Sequence, residues 1–217
     1  MYFTSRVELG QRMADVLSDL KGQQAVVLCL NKESIDTSIG LAASLGAWIY
    51  PLLAEPIVIP GEPRILGVIN QEGVLCYNPG LSIYERQELE MDYRGIIQDA
   101  SREAFHTLNQ ESSLYGTLHK EGLNGRTVII CGDIIRDLVD VGAATEFLKS
   151  VNTTEIVAAA GNIDVNVSAP LSMMSSRTCF MDVMSNMFSD DHYFEQSVGY
   201  NPEEQRQIMT NIATFWT

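Results

Sequence analysis

The sequence predicts an α/β protein, a mainly parallel open sheet with helices on both faces and a small flap. Three observations predict it. Short continuous apolar runs, AVVLCL at 25–30, TVIICG at 127–132 and EIVAAAGNI at 155–163, are what strands buried on both faces require. Segments of helical periodicity, IDTSIGLAASLG at 35–46 and DVGAATEFLKSV at 140–151, lie between the runs or beside them. Strands interleaved with helices imply parallel pairing through right-handed crossovers, and open sheets of that kind take their ligands at the carboxyl ends of the strands.

In chain order, Val7, Leu9, Met13, Val16, Leu17 and Leu20 recur near helical spacing, and Gly22 makes a stop. The strand at 25–30 follows, then the helix at 35–46, which ends on another glycine, Gly46. WIYPLLAEPIVIP and RILGVINQEGVLCYN read as extended segments broken by prolines, the second a hairpin turning at Gln71-Glu72-Gly73. Together they make a flap at about 48–80. A polar, helix-prone stretch runs from Ser82 to about His119. The strand at 127–132, a turn, a helix beginning near Val141 and the strand at 155–163 complete the pattern. A chain of 217 residues accommodates one domain over 1–217 with its flap, and neither a repeat nor a linker divides it.

Charge and composition exclude some functions. Twenty-eight acidic residues against 14 basic ones give a formal net charge of −14, and the basic residues are scattered. Phosphate backbones are bound through clustered Lys and Arg, so nucleic acid is not an expected partner. No apolar run reaches the roughly 18 residues that span a bilayer. The start, MYFTSRVELGQRMADVL, is polar and amphipathic rather than basic-then-apolar, so a cytoplasmic protein without a membrane partner is expected. Cys29, Cys76, Cys131 and Cys179 are far apart and read as reduced core thiols. His106, His119 and His192 stand at no metal-ligand spacing, and no metal site is assigned. Met173, Met174, Met181, Met184 and Met187 read as core or subunit packing, and a homo-oligomer is expected.

Two loops fall at strand carboxyl ends: Asn31-Lys32-Glu33-Ser34 after the first strand, and Gly132 to Asp140 after the later one. Around them, FTSRVELGQRMA (3–14), VVLCLNKESIDTSIGLAASLGA, RILGVINQEG, LNGRTVIICGD and FSDDHYFEQSVGYNPEEQRQIM follow one another in an order and spacing that resembles the type I phosphoribosyltransferases. The likeness is to a bacterial branch of small phosphoribosyltransferase-domain proteins and runs over most of the chain. It implies that family's fold, with the flap as its hood.

The resemblance also implies where a ligand would sit. In that family the first loop presents two glycines to pyrophosphate. The second presents two adjacent acids to the ribose hydroxyls, then a Thr/Gly-rich turn that cradles the 5′-phosphate at a helix N-terminus. Here Asn31, Lys32, Glu33 and Ser34 occupy the first loop, with Glu33 and Ser34 in place of the glycines. Gly132 and Asp133 replace the acidic pair, and Ile135-Arg136-Asp137-Leu138-Val139-Asp140 replaces the small-residue turn. Glu55-Pro56 stands where the family carries a strand lysine. On this reading the pyrophosphate loop is vestigial and the phosphoribosyl loop degenerate. Asp137 or Asp140 is expected to cap the following helix, Asp133 to bond loop amides or a ribose hydroxyl, and Lys32 with Glu33 to form a solvated pair.

No residue is assigned a catalytic role. The implied function is a phosphoribosyltransferase-like protein whose transfer chemistry is lost or weakened, serving as a binding, regulatory or assembly protein. The alternative is an active transferase that uses Mg²⁺ and passes phosphoribosyl to an unidentified acceptor. The ligand class in either case is a phosphorylated sugar or nucleotide-like small molecule.

Overall fold

The computed structural model describes residues 1–116, 120–196 and 198–215. Helix α1 (Arg6–Val16) starts at Ser5, whose side chain accepts a hydrogen bond from the Glu8 amide. Strand β1 (Ala25–Cys29) leads into α2 (Ile35–Leu45), which Gly46 closes in the left-handed conformation at φ 70°. Next come β2 (Trp48–Pro51), β3 (Ala54–Ile57), β4 (Gly67–Asn70) and β5 (Leu75–Tyr77). The polar stretch forms α3 (Ile83–Asp92), begun by a Ser82/Glu85 capping box, and α4 (Arg94–Tyr115). Then follow β6 (Thr127–Ile135), α5 (Val139–Leu148), β7 (Glu155–Asp164), α6 (Val165–Met174), β8 (Arg177–Met184) and α7 (Pro202–Phe215).

Five strands form one parallel sheet in the order β2-β1-β6-β7-β8, with β1 and β6 adjacent from Ala25↔Thr127 to Cys29↔Cys131. The period of two along each strand divides the core. Val27, Cys29, Ile129, Cys131, Val157 and Ala159 pack on one face with Leu9 and Met13 of α1 and Ile39 and Leu41 of α2. Val26, Leu28, Val128, Ile130, Ala158 and Ala160 pack on the other with Phe147 of α5 and Val167 and Leu171 of α6. This is the expected α/β architecture, with the β1 and β6 runs as neighbours. All four cysteines are free and buried.

Helices α1 and α2 cross with their backbones almost touching. A Cβ on Gly40 would lie 2.2 Å from the Val7 carbonyl oxygen, and one on Gly10 would lie 2.0 Å from that of Thr37. Only glycine fits at either position. Burial of Leu9, Met13, Leu17 and Leu20 follows the predicted periodicity, whereas Val16 is exposed.

Several boundaries are corrected. Residues 48–51 form the edge strand of the main sheet, so the antiparallel hood sheet β3-β4-β5 occupies 54–77 rather than 48–80. The later strand runs on to Ile135 rather than ending at Gly132, because Ile134 and Ile135 remain paired with Asn162 and Ile163 of β7. The following helix begins at Val139, two residues before the expected start. Strand β8 and helix α6 carried no clear signal: β8 is a half-buried edge strand, and Pro170 sits inside α6. Met181, Met184 and Met187 pack against the core as expected, while Met173 is exposed. His106 is exposed, His192 bonds the Tyr2 hydroxyl at 2.8 Å, and His119 lies outside the described residues. No described helix is long and apolar enough to cross a membrane.

Candidate functional site

Because β1 and β6 are adjacent and parallel, the loops that follow them meet at one edge of the sheet. Residues 30–34 lead from β1 into α2, and Arg136-Asp137-Leu138 leads from β6 into α5. The hood strands β3 and β4 close over them, leaving a cavity of about 360 Å³. Asn31, Lys32, Glu33, Glu55, Asp137 and Asp140 line it, with Leu52, Ile65 and Val68 as its apolar part.

The two loops are tied to each other. Asn31 Nδ2 donates to Asp140 Oδ2 at 2.9 Å, while Asn31 Oδ1 accepts from the Ser34 amide at 3.1 Å and from the Ser34 hydroxyl. Ser34, fully buried, also accepts from the Asp133 amide at 3.4 Å. Asp133 Oδ1 accepts from the Ile134 amide at 2.7 Å, and Asp133 Oδ2 accepts from Arg6 Nε at 2.9 Å. Arg6 reaches on to Asp191 at 3.2 Å. The polar chain thus runs from α5 through both loops to α1, and the carboxylates it contains are matched largely by groups of the chain itself.

Charges set the character of the cavity. Lys32 Nζ donates to Glu55 of β3 and, at 2.6 Å, to Glu111 of α4. Burial pulls its pKa down, and the two carboxylates more than restore it, so the ammonium stays firmly charged and already neutralised. This corrects the expected Lys32–Glu33 pair: Glu33 is exposed, and the partners of Lys32 lie 23 and 79 residues away in sequence. Asp140 is the perturbed acid of the site. Burial pushes its carboxyl up to about 6 against the Asn31 hydrogen bond, and the charges of Asp137 and Glu33 add to the rise.

The second loop differs from its expected form. Gly132 and Asp133 are strand residues, not turn residues, and a Cβ on Gly132 would meet the Ile135 side chain at 2.7 Å. Packing within the strand therefore accounts for this glycine. Asp137 accepts from the Val139 amide at 2.9 Å, but it stands one residue ahead of the capping position, Leu138, and Asp140 sits inside the first turn and bonds Asn31, so neither acid is the N-cap that the sequence suggests. Asp133 holds a guanidinium, one adjacent amide and, at 3.4 Å, the Ser34 hydroxyl rather than a set of loop amides. Arg136 points away, donating to the Phe188 carbonyl. Among the described residues no non-glycine has a positive φ, and Gly132 does not either. A nest of the αR-αL kind needs such a left-handed position, so none of that kind forms here.

The sequence does not single out Glu111 or Asp191 at all, and Arg6 only as part of the opening motif at 3–14, with no role in the site. No local pattern marks them as site residues, because each reaches the site from a different element. Glu55 stands out in the sequence only in place of a lysine, yet it is a direct partner of Lys32. Chemically the cavity presents acceptors, and Lys32, the cation among its described lining residues, is already paired. No group of three or more His, Cys, Asp or Glu among the described residues is arranged to hold a metal ion.

Fold and site define an α/β protein with a polar, acidic cavity at the carboxyl edge of a parallel sheet, under an antiparallel hood. The chain shares its fold with TT1426 from Thermus thermophilus, at 17% identity and a TM-score of 0.73, over 97% of this chain and 99% of that one. A hypothetical protein from Neisseria gonorrhoeae with bound ppGpp is more distant, at 10% identity and a TM-score of 0.43 over 76% of this chain and 72% of its own. A hypoxanthine phosphoribosyltransferase from Staphylococcus aureus is similarly distant, at 13% identity and a TM-score of 0.41 over 87% and 80%. At such scores neither of these two proteins bears on the function of this chain. No protein-family model matches the chain, and no curated protein matches its sequence.

Proposed function

We propose that the chain is a phosphoribosyltransferase-like protein that keeps the fold while phosphoribosyl transfer is lost or weakened, and that it works as a binding, regulatory or assembly protein. The observation that carries this reading is the state of the cavity's charges. Lys32, the cation of the first loop, is held between Glu55 and Glu111, and Asp140 is buried where the second loop of an active enzyme would cradle a phosphate. A carboxylate 4–5 Å from a doubly charged phosphate opposes it by roughly 6–8 kcal/mol at an effective dielectric of about 20. The backbone supplies no αR-αL nest of amides to offset that repulsion.

Calorimetric titration with phosphoribosyl pyrophosphate and Mg²⁺ tests the reading, and weak or undetectable binding is expected. A dissociation constant of about 10 µM or tighter, equivalent to roughly −7 kcal/mol, would overturn it. The active-transferase reading, with Mg²⁺ as its cofactor, would then lead. A phosphorylated sugar or nucleotide-like molecule is the ligand class to screen. Sedimentation of the whole chain would test self-assembly.

A further inference from the structure

On the far side of the start of α5 from the acidic cavity lies a second concavity of a different character. It measures about 650 Å³, within the range of small-molecule sites, and its lining is mainly apolar. Leu75 and Pro79 of the hood form one wall, Leu138 and Thr145 the floor, and Met173 and Met174 of α6 the other wall. The Thr145 hydroxyl is already engaged by the Val141 carbonyl at 2.7 Å and the Met174 sulfur at 3.1 Å. Methionines give such a wall an adaptable surface.

Three charged side chains also line the groove, and they are not equivalent. Lys149 is paired with Glu146 at 2.5 Å. Arg86 is held in place by neutral groups: its Nε donates to the Leu81 carbonyl at 3.1 Å and its terminal nitrogen to the Asn78 carbonyl at 3.4 Å. Its guanidinium stands 5.5 Å from the Tyr77 ring centre. Glu90, the next acid along that face of α3, accepts from the Tyr77 hydroxyl instead. A chain of net charge −14 thus keeps, at the side of an apolar groove, an arginine that has no carboxylate partner among the described residues.

We infer that this groove between the hood edge, α5 and α6 is a binding site for a small amphipathic monoanion. The ligand would place an aliphatic or aromatic body against Leu75, Leu138 and the two methionines and a carboxylate or sulfonate on Arg86. The apolar lining accounts for the body. The positioned, unneutralised guanidinium accounts for the single negative charge, since a charge-assisted bond to it replaces solvent rather than an existing ion pair.

Fluorescence titration with 1-anilinonaphthalene-8-sulfonate, followed by displacement with octanoate and with octan-1-ol, tests the site on the full chain. Saturable one-site binding is expected, with octanoate displacing the probe about tenfold better than the alcohol, the ratio a charge-assisted hydrogen bond supports. Arg86→Gln should weaken octanoate about tenfold and erase that preference. Met173 is 89% exposed, so Met173→Glu puts a carboxylate in the wall without disturbing the fold and should weaken octanoate similarly. Equal displacement by acid and alcohol, or binding unchanged in the folded Met173→Glu chain, would overturn the proposal. So would sedimentation in which Met173→Glu converts an oligomer to a monomer, because the groove would then be a subunit interface.

Discussion

Replacing Asp140 by asparagine should make the protein more stable at neutral pH, although it removes a charged group that accepts a hydrogen bond. The carboxyl is largely buried, faces Asp137 and Glu33, and titrates at about 6 instead of 3.8. Its favourable contact is the 2.9 Å bond from Asn31, which an asparagine carbonyl oxygen can also accept. Between pH 3.8 and 6 the folded chain holds a proton that the unfolded chain has released. Stability from this group therefore rises as the pH falls through that window, and above it the ionised acid is a constant penalty. Two units at about 1.4 kcal/mol each give about 3 kcal/mol, which partial solvent access reduces to about 2 kcal/mol. Urea unfolding of both chains at pH 7.5 and pH 4.5 measures it. Asp140→Asn should gain about 2 kcal/mol at pH 7.5, and about half of that difference should vanish at pH 4.5. A variant less stable than the parent at pH 7.5, or a gain independent of pH, would refute the burial argument and mean that the ionised carboxylate is a net stabiliser.

Arg6→Ala takes the guanidinium from Asp133, whose side chain is only 3% exposed, and should destabilise by about 3 kcal/mol in the same assay; a loss under 1 kcal/mol would mean that water or other groups replace it. Gly40→Ala, a change that stabilises an ordinary helix interior, should here force α1 from α2 and lower stability by about 2 kcal/mol. Gly95→Ala in α4, where nothing lies within 4 Å of the new Cβ, should instead leave stability equal or slightly higher, and the two together separate steric clash from helix propensity. Asp137→Asn with Asp140→Asn removes the carboxylates that oppose an anion and should raise inorganic phosphate affinity by about tenfold or more, a gain that fades with added salt. A change under twofold would make the shape of the turn, not its charge, the barrier.

The sequence alone determined the α/β class, the adjacency of the two central strands, the helices that begin the chain and follow the first strand, and the reduced cysteines. These follow from local, periodic signals: runs such as AVVLCL and TVIICG have to be buried on both faces, and Gly46 ends its helix wherever the chain goes, whereas the first helix stops at Val16, before the expected Gly22. It also placed Lys32, Asp133, Asp137 and Asp140 at the right edge of the sheet, since that edge is fixed by strand direction. What each of them does there was decided by the tertiary structure. Lys32 looked like half of a solvated pair with Glu33 until β3 and α4 brought Glu55 and Glu111 to it, and Asp133 looked like a turn residue until pairing with β7 carried the strand on to Ile135. Asp140 passed for a helix cap because capping is a local event that any acid near a helix start can perform, whereas its burial and its bond to Asn31 depend on a loop 109 residues away. Ion pairs and burial are sums over neighbours in space, and spacing along the chain encodes those neighbours only where the contact is within one helix or one hairpin.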